Sequence, residues 1–183
     1  MSVTINGLPA YVEYISPTQV NVLGSDDSTV GAVQVQVTTA QGTSNSFTAQ
    51  KGQFAPGFFM LTGNYVNALH ADYSLVGNPG ILAGVTTTPA KPGETILIYG
   101  TGFGPTSPAL PSSQLVTTSA GLANTVQFTI GGQAATVAYA GLVGSGLYQF
   151  NVMVPNIANG DAAIVAQIGG AQTQTGASIT VQQ

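Results

Sequence analysis

Few residues in this chain are equipped for chemistry. The single histidine, His70, lies in "ALHADYS", with Asp72 two residues on and Ser74 two beyond that. A serine hydrolase needs a hydroxyl against an imidazole base, with a carboxylate behind that base. The three residue types are present, so His70, Asp72 and Ser74 are candidate catalytic residues of a hydrolase with His70 as base. On an extended strand, however, residues two apart share one face and form a row. A triad must converge, so a serine from elsewhere would have to complete such a site. The plainer reading is a polar, solvent-facing strand.

The only adjacent acids are Asp26 and Asp27, in "GSDDST". Hard cations take about six to eight oxygens, usually from several carboxylates. Asp26 and Asp27 are weak candidate metal ligands; turn formers bonding their own backbone are the simpler reading, as for Asp161 in "NGD". No cofactor is called for. The chain has seven Tyr and no Trp. Tyr11, Tyr65 and Tyr73 are predicted to be exposed and are candidate ligand-binding residues for stacking on a polysaccharide. Tyr14 and Tyr139 alternate with Val12 and Val137 and are predicted to face inward. Phe58 and Phe59 are neighbours, so on a strand one faces the core and the other faces away.

"YGTGFGP" (residues 99–105) has the glycines of a phosphate loop. Such a loop must open a helix whose first amides face the anion. Here Pro105 and "TSPALPSS" follow, so the stretch is predicted to be a structural turn.

The elements that must position these residues are strands. "AVQVQVTT", "ETILIYG", "NTVQFTIGG", "ATVAYAG", "YQFNVMVP", "AAIVAQIGG" and "ASITVQ" alternate apolar and polar residues between Gly, Pro, Asn or Ser, the pattern of short half-buried strands. Asn6-Gly7, Gly131-Gly132 and Gly169-Gly170 signal tight hairpins. No helical periodicity persists beyond two turns. Strands and turns at this spacing point to an antiparallel sandwich.

The 183 residues include only 4% charged ones: two lysines, no arginine and six acids, for a net charge of −4. A globular protein typically has about 25%. No basic patch exists to neutralise phosphates, which argues against nucleic acid and anionic membranes. The absence of cysteine excludes disulfides and thiolate sites. No apolar run reaches the roughly 18–20 residues of a transmembrane helix.

The chain also repeats itself. "TINGLPAYVEY" (residues 4–14) matches "TIGGQAATVAY" (residues 129–139), "TQVNV" matches "YQFNV", and "SFTAQ" matches "SITVQ". The second copy has a longer loop, "GLVGSGL", and a prefix, Pro89–Pro105, without counterpart in the first. One supersecondary unit used twice is implied.

In their order, "INGLPAYVEYISPTQVNV", "APGFF", "ALHADYSLV", "PAKPGETILIYGTGFGP", "IGGQAATVAYAG" and "YQFNVMVP" resemble uncharacterised C-terminal regions of secreted acidobacterial proteins, built from tandem immunoglobulin-like units related to IPT/TIG domains. The resemblance implies extracellular β-sandwich modules and transfers no activity or catalytic residue. Any signal peptide would then lie upstream.

The expected fold is all-β: two tandem immunoglobulin-like antiparallel sandwiches. Residues 1–86 form the first, lacking its opening strands and patched by residues 54–77; residues 87–183 form the second, complete and IPT/TIG-like. The expected function is a non-catalytic extracellular structural or adhesion module, holding a larger secreted protein through another protein or a cell-surface or matrix component. The alternatives are a carbohydrate-binding module, the His70 hydrolase, and a subunit that self-associates through an exposed sheet edge.

Overall fold

The computed structural model describes residues 1–24, 27, 29–110 and 114–183. Those residues form strands and no helix, as the period-two pattern predicts. The first sheet comprises β1 (Ser2–Ile5), β2 (Leu8–Ile15), β3 (Val20–Leu23), β4 (Gly31–Thr39), β5 (Gly42–Thr43) and β6 (Phe47–Lys51). Its order is β3-β2-β1-β4-β5, with β6 also on β4.

A run of short strands follows: β7 (Gly57–Phe58), β8 (Met60–Thr62), β9 (Tyr65–Val66), β10 (Ala68–Leu69), β11 (Leu75–Val76) and β12 (Thr87–Thr88). Then come β13 (Thr95–Thr101), β14 (Thr106–Ser107), β15 (Ala120–Leu122), β16 (Gln127–Ile130), β17 (Gln133–Gly144), β18 (Leu147–Met153), β19 (Gly160–Ile168), β20 (Ala171–Gln172) and β21 (Ser178–Val181). The larger sheet runs β12-β11-β10-β13-β18-β17-β16-β19-β21-β9-β8. It closes around one core as an immunoglobulin-like β-sandwich.

The sequence repeat has a structural counterpart. β18-β17-β16-β19, with β20 and β21 on β19, has the order of β3-β2-β1-β4, with β5 and β6 on β4. Both first hairpins turn on residues with positive φ, 53° and 78° at Asn6-Gly7 and 57° and 77° at Gly131-Gly132, the geometry such two-residue turns require. Both second strands carry a bulge at one equivalent place, between Val12 and Tyr14 and between Val137 and Tyr139.

That bulge corrects the tyrosines. An extra residue breaks strict alternation, so Tyr14 pairs with Asn21 and Tyr139 with Asn151 instead of joining Val12 and Val137. Tyr14 is accordingly 50% exposed. Two further expectations change. "GLVGSGL" is mostly strand, since β17 continues along β18 to Gly144. The last repeat segment is displaced by two residues: Ala49 lies opposite Val33 as Ile179 lies opposite Ala162, whereas the sequence match equates Phe47 with Ile179.

The segment expected to patch the first sheet belongs to the larger one. β7 and β10 pair with β13, and β9 pairs with β21. The reason is a binding surface that only the second unit offers. Phe58 packs against Phe103 and Phe128 with ring centroids 6.4 and 5.8 Å apart, and Phe150 joins Phe103 at 4.4 Å and Phe128 at 5.1 Å. Gln174 acts as a surrogate strand for β7: its side-chain amide accepts from Phe58 N and donates to Phe58 O, both at 2.9 Å. Phe59, the other half of the pair, is 40% exposed.

The two sheets bury their apolar faces very unequally. Phe128, Ile130, Phe150, Val152 and Ile164 are all essentially buried. In the first sheet only Val3 and Val33 are buried, while Phe47 on the same face is 71% exposed. Phe150→Ala is therefore expected to destabilise the sandwich by about 3–5 kcal/mol, and Phe47→Ala to change stability by no more than about 0.5 kcal/mol. Urea unfolding of the two variants checks the contrast.

Candidate functional site

His70 begins where β10 ends. Residues 70–74 form a turn, closed by bonds from Tyr73 N to His70 O at 3.0 Å and from His70 N to Ser74 O at 2.8 Å. The row predicted for His70, Asp72 and Ser74 on one strand is thus replaced by a loop, with Tyr73 at φ 67°. Ser74 turns to Asp72: its hydroxyl donates to Asp72 Oδ1 at 2.6 Å and its amide at 3.0 Å. These two bonds hold the Asp72 carboxyl below the usual aspartate range.

The carboxylate partner of His70 is Glu94, which the sequence reading did not include. His70 Nδ1 lies 2.5 Å from Glu94 Oε1. An ionised carboxylate only accepts, so the ring donates from Nδ1. Nε2 lies 2.9 Å from the Thr88 hydroxyl and 3.1 Å from Thr88 O, so it accepts from the hydroxyl when the ring is neutral and donates to the carbonyl when the ring is protonated. Glu94 is steadied by its other oxygen, which accepts from Lys91 N at 2.9 Å. Hydroxyl, imidazole and carboxylate thus stand in the order of a catalytic triad, but the hydroxyl is that of Thr88. They line an open cleft of about 600 Å3 with Asp72, Ser74 and Lys91. The same bonds also have a structural use, because they tie the end of β10 to β12 and to the turn before β13. No sequence spacing signals the group: Thr88 and Glu94 lie 18 and 24 residues from His70.

The other candidates separate. Asp26 lies outside the described residues. Asp27 forms a salt bridge with Lys51, Nζ to Oδ2 at 2.7 Å, and accepts from Thr29 N at 2.8 Å. Among the described residues no three His, Asp or Glu side chains gather as a metal site would require. Lys51 and Asp27 line a second cleft, of about 630 Å3, between the end of β3 and the Gly102–Thr106 segment.

Tyr11 is on β2, Tyr65 on β9 and Tyr73 in the His70 turn. Tyr11 and Tyr65 are half-buried, and only Tyr73 is strongly exposed. The Tyr65 hydroxyl donates to Asp161 Oδ2 at 2.7 Å. That bond, with burial and the nearby negative charge, pushes the phenol pKa up. Asp161 also accepts from Thr180 at 2.8 Å, so it cross-links strands instead of shaping a turn. No ring contact unites the three tyrosines into a platform among the described residues.

The glycines of "YGTGFGP" serve packing. Gly102 has φ 77°, and a Cβ there would run into the Ala55 carbonyl. Ala55 N donates to Gly102 O at 2.9 Å, and the Tyr148 hydroxyl donates to Gly104 O at 2.6 Å. Phe103 between them is fully buried.

Two outcomes test this geometry. Gly102→Ala is expected to cost at least about 2 kcal/mol, from a left-handed backbone and a clash that cannot relax; thermal unfolding measures it. Ser74→Ala is expected to move the Asp72 titration midpoint upward, read by carboxyl NMR. A depressed aspartate pKa contributes stability that is present above its unfolded value and lost as the pH falls through the folded one. The Ser74 variant should therefore be less stable than the parent at neutral pH and match it once the pH falls below the folded midpoint.

A protein-family model described as the IPT/TIG domain matches residues 81–182. No curated protein matches the chain. Such domains are typically non-catalytic immunoglobulin-like modules for protein interaction. The match covers β12 to β21, Phe103, Phe128 and Phe150 of the aromatic core, and the glycine turn that seats Phe103. On that span this chain belongs to the IPT/TIG domain family.

Proposed function

We propose that the chain is a non-catalytic extracellular interaction module, made of two immunoglobulin-like units in tandem, that presents or anchors a larger secreted protein through protein contacts. The observation that carries this reading is the apolar face of the first sheet, which is covered at Val3 and Val33 and left open at Leu8, Ile15 and Phe47. A sheet face with Ile15 and Phe47 more than half exposed is a surface suited to contact. The sparse charge of the chain agrees with an extracellular setting. In this reading the first unit ends near residue 52, because β7 to β11 pair within the larger sheet; this replaces the boundary at residue 86.

A second reading has one specific observation in its favour, the Thr88–His70–Glu94 chain of hydrogen bonds. Thr88 would be the nucleophile, His70 the base and Glu94 the group that orients the base. One assay separates the two. The full chain is incubated with chromogenic esters and with peptide substrates, beside His70→Ala, Thr88→Ala and Ser74→Ala. The interaction module predicts no turnover above the protein-free rate. Turnover lost in both the His70 and Thr88 variants, and kept in Ser74→Ala, would overturn it.

A further inference from the structure

We infer that the outer face of the larger sheet, where β17, β18 and β13 lie side by side, binds an uncharged polysaccharide. Tyr139 and Tyr99 are its stacking rings, and the amides of Gln149 and Asn151 form the polar floor between them. This surface is not the one that carries the interaction-module reading. The bulge in β17 turns Tyr139 out of the core and sets it opposite Asn151, which lies opposite Leu97 on β13. In the next row Gly141, Gln149 and Tyr99 lie opposite one another. Ile96, Ile98, Phe150 and Val152 of the same strands face the core. Tyr139, Gln149, Asn151 and Tyr99 therefore share the other face. All four are half-buried.

Gly141 gives the site its shape. A Cβ there would lie 2.5 Å from the Tyr139 hydroxyl oxygen and 2.8 Å from the ring carbon that bears it. The Tyr139 ring thus lies low along its own strand, over the glycine, instead of standing up from the sheet. Tyr99 is two strands away, roughly 10 Å at the usual strand spacing, close to the distance between alternate rings of an extended β-linked glycan. Tyr73, 71% exposed, adds a third ring near Tyr99: burial, and then the charge of Tyr73, push the Tyr99 phenol pKa up. Its left-handed backbone, φ 67°, is strained for a tyrosine.

The amides supply the polar half. Gln149 Nε2 donates to Asn151 Oδ1 at 2.9 Å, which leaves Gln149 Oε1 and Asn151 Nδ2 without a protein partner among the described residues. One acceptor and one donor remain side by side, and flipping both amides only exchanges them. Each sugar hydroxyl both donates and accepts, so two neighbouring hydroxyls match the pair. In the first unit Tyr14, Gln19 and Asn21 repeat the arrangement, with the same amide bond at 2.6 Å. Neither trio belongs to the core, so packing inside the sandwich does not account for it. Ser16 stands in the first unit at the place of Gly141, so the glycine that lets the ring lie low is particular to the second. The ligand class follows from the side chains. Flat rings cover the C–H faces of pyranoses and neutral amides bond their hydroxyls. Tyr139, Tyr99, Gln149 and Asn151 are uncharged at neutral pH, which favours a neutral glycan over an anionic one.

The test is affinity electrophoresis of the full chain in gels containing xylan, glucomannan, hydroxyethyl cellulose or a soluble β-1,3-glucan, with polygalacturonate as the anionic comparison. At least one neutral glycan is expected to retard the protein, and polygalacturonate is not. Tyr139→Ala and Gln149→Ala should each weaken the binding about tenfold or more, and Tyr139→Phe should keep it. Thermal unfolding checks that the variants are folded. A readout on the unsubstituted chain needs no variant: with no Trp present, tyrosine fluorescence should change saturably as the retarding glycan is added in solution. The inference is overturned by no retardation in any neutral glycan, by binding that folded Tyr139→Ala and Gln149→Ala leave unchanged, by stronger retardation in polygalacturonate, or by a tyrosine signal that stays flat. None of those results touches the interaction-module reading, which falls only to His70-dependent and Thr88-dependent turnover.

Discussion

An apolar sheet face in water must be covered, and in this molecule the cover depends on the contact of Phe58 and Phe103 with Phe128 and Phe150. Phe103 reaches that position because Gly102 lets the chain turn left-handed while the Ala55 backbone comes close. Phe58 is held there by the side-chain amide of Gln174. With these anchors fixed, β8 to β11 have little freedom. They pair around the rim of the sandwich, and the turn after β10 delivers His70 to Glu94. The most chemically suggestive group of side chains is thus a product of core packing.

The two copies of the repeat show how far local pattern and tertiary cover can diverge. Hairpin turn, bulge and strand order are common to both. Even the side-chain bond between the paired polar residues recurs, from Gln19 to Asn21 at 2.6 Å and from Gln149 to Asn151 at 2.9 Å. What differs is the second layer. Local sequence encodes the shape of a sheet, because turn geometry and alternation are local properties. Most of its stability comes from what lies on top, and that comes from other parts of the chain.

The same distinction explains how much was legible in the sequence. The all-β class, the hairpins at Asn6-Gly7 and Gly131-Gly132 and the packing role of "YGTGFGP" all rest on short-range rules. The orientation of Tyr14 and Tyr139 was not legible, because one bulged residue inverts the face and leaves no mark in the alternating pattern. The destination of Phe54–Gly77 was not legible either: its strands are two or three residues long, so their pairing is chosen by contacts across the fold. For the site, His70 was found from its residue type alone. Glu94 and Thr88 were missed because they approach it from β12 and the turn before β13, and no local spacing brings those together.

Charge then limits how such a surface can recognise anything. With 4% of residues charged, and with Asp27, Lys51, Asp72, Glu94 and Asp161 each bonded within the fold, few ionised groups are left to steer a partner. Recognition would have to rely on uncharged hydrogen bonds and apolar burial, which are only weakly screened by salt. Electrostatic recognition speeds encounter and loses strength with ionic strength. An uncharged mode gives up that speed and keeps its strength across salt conditions.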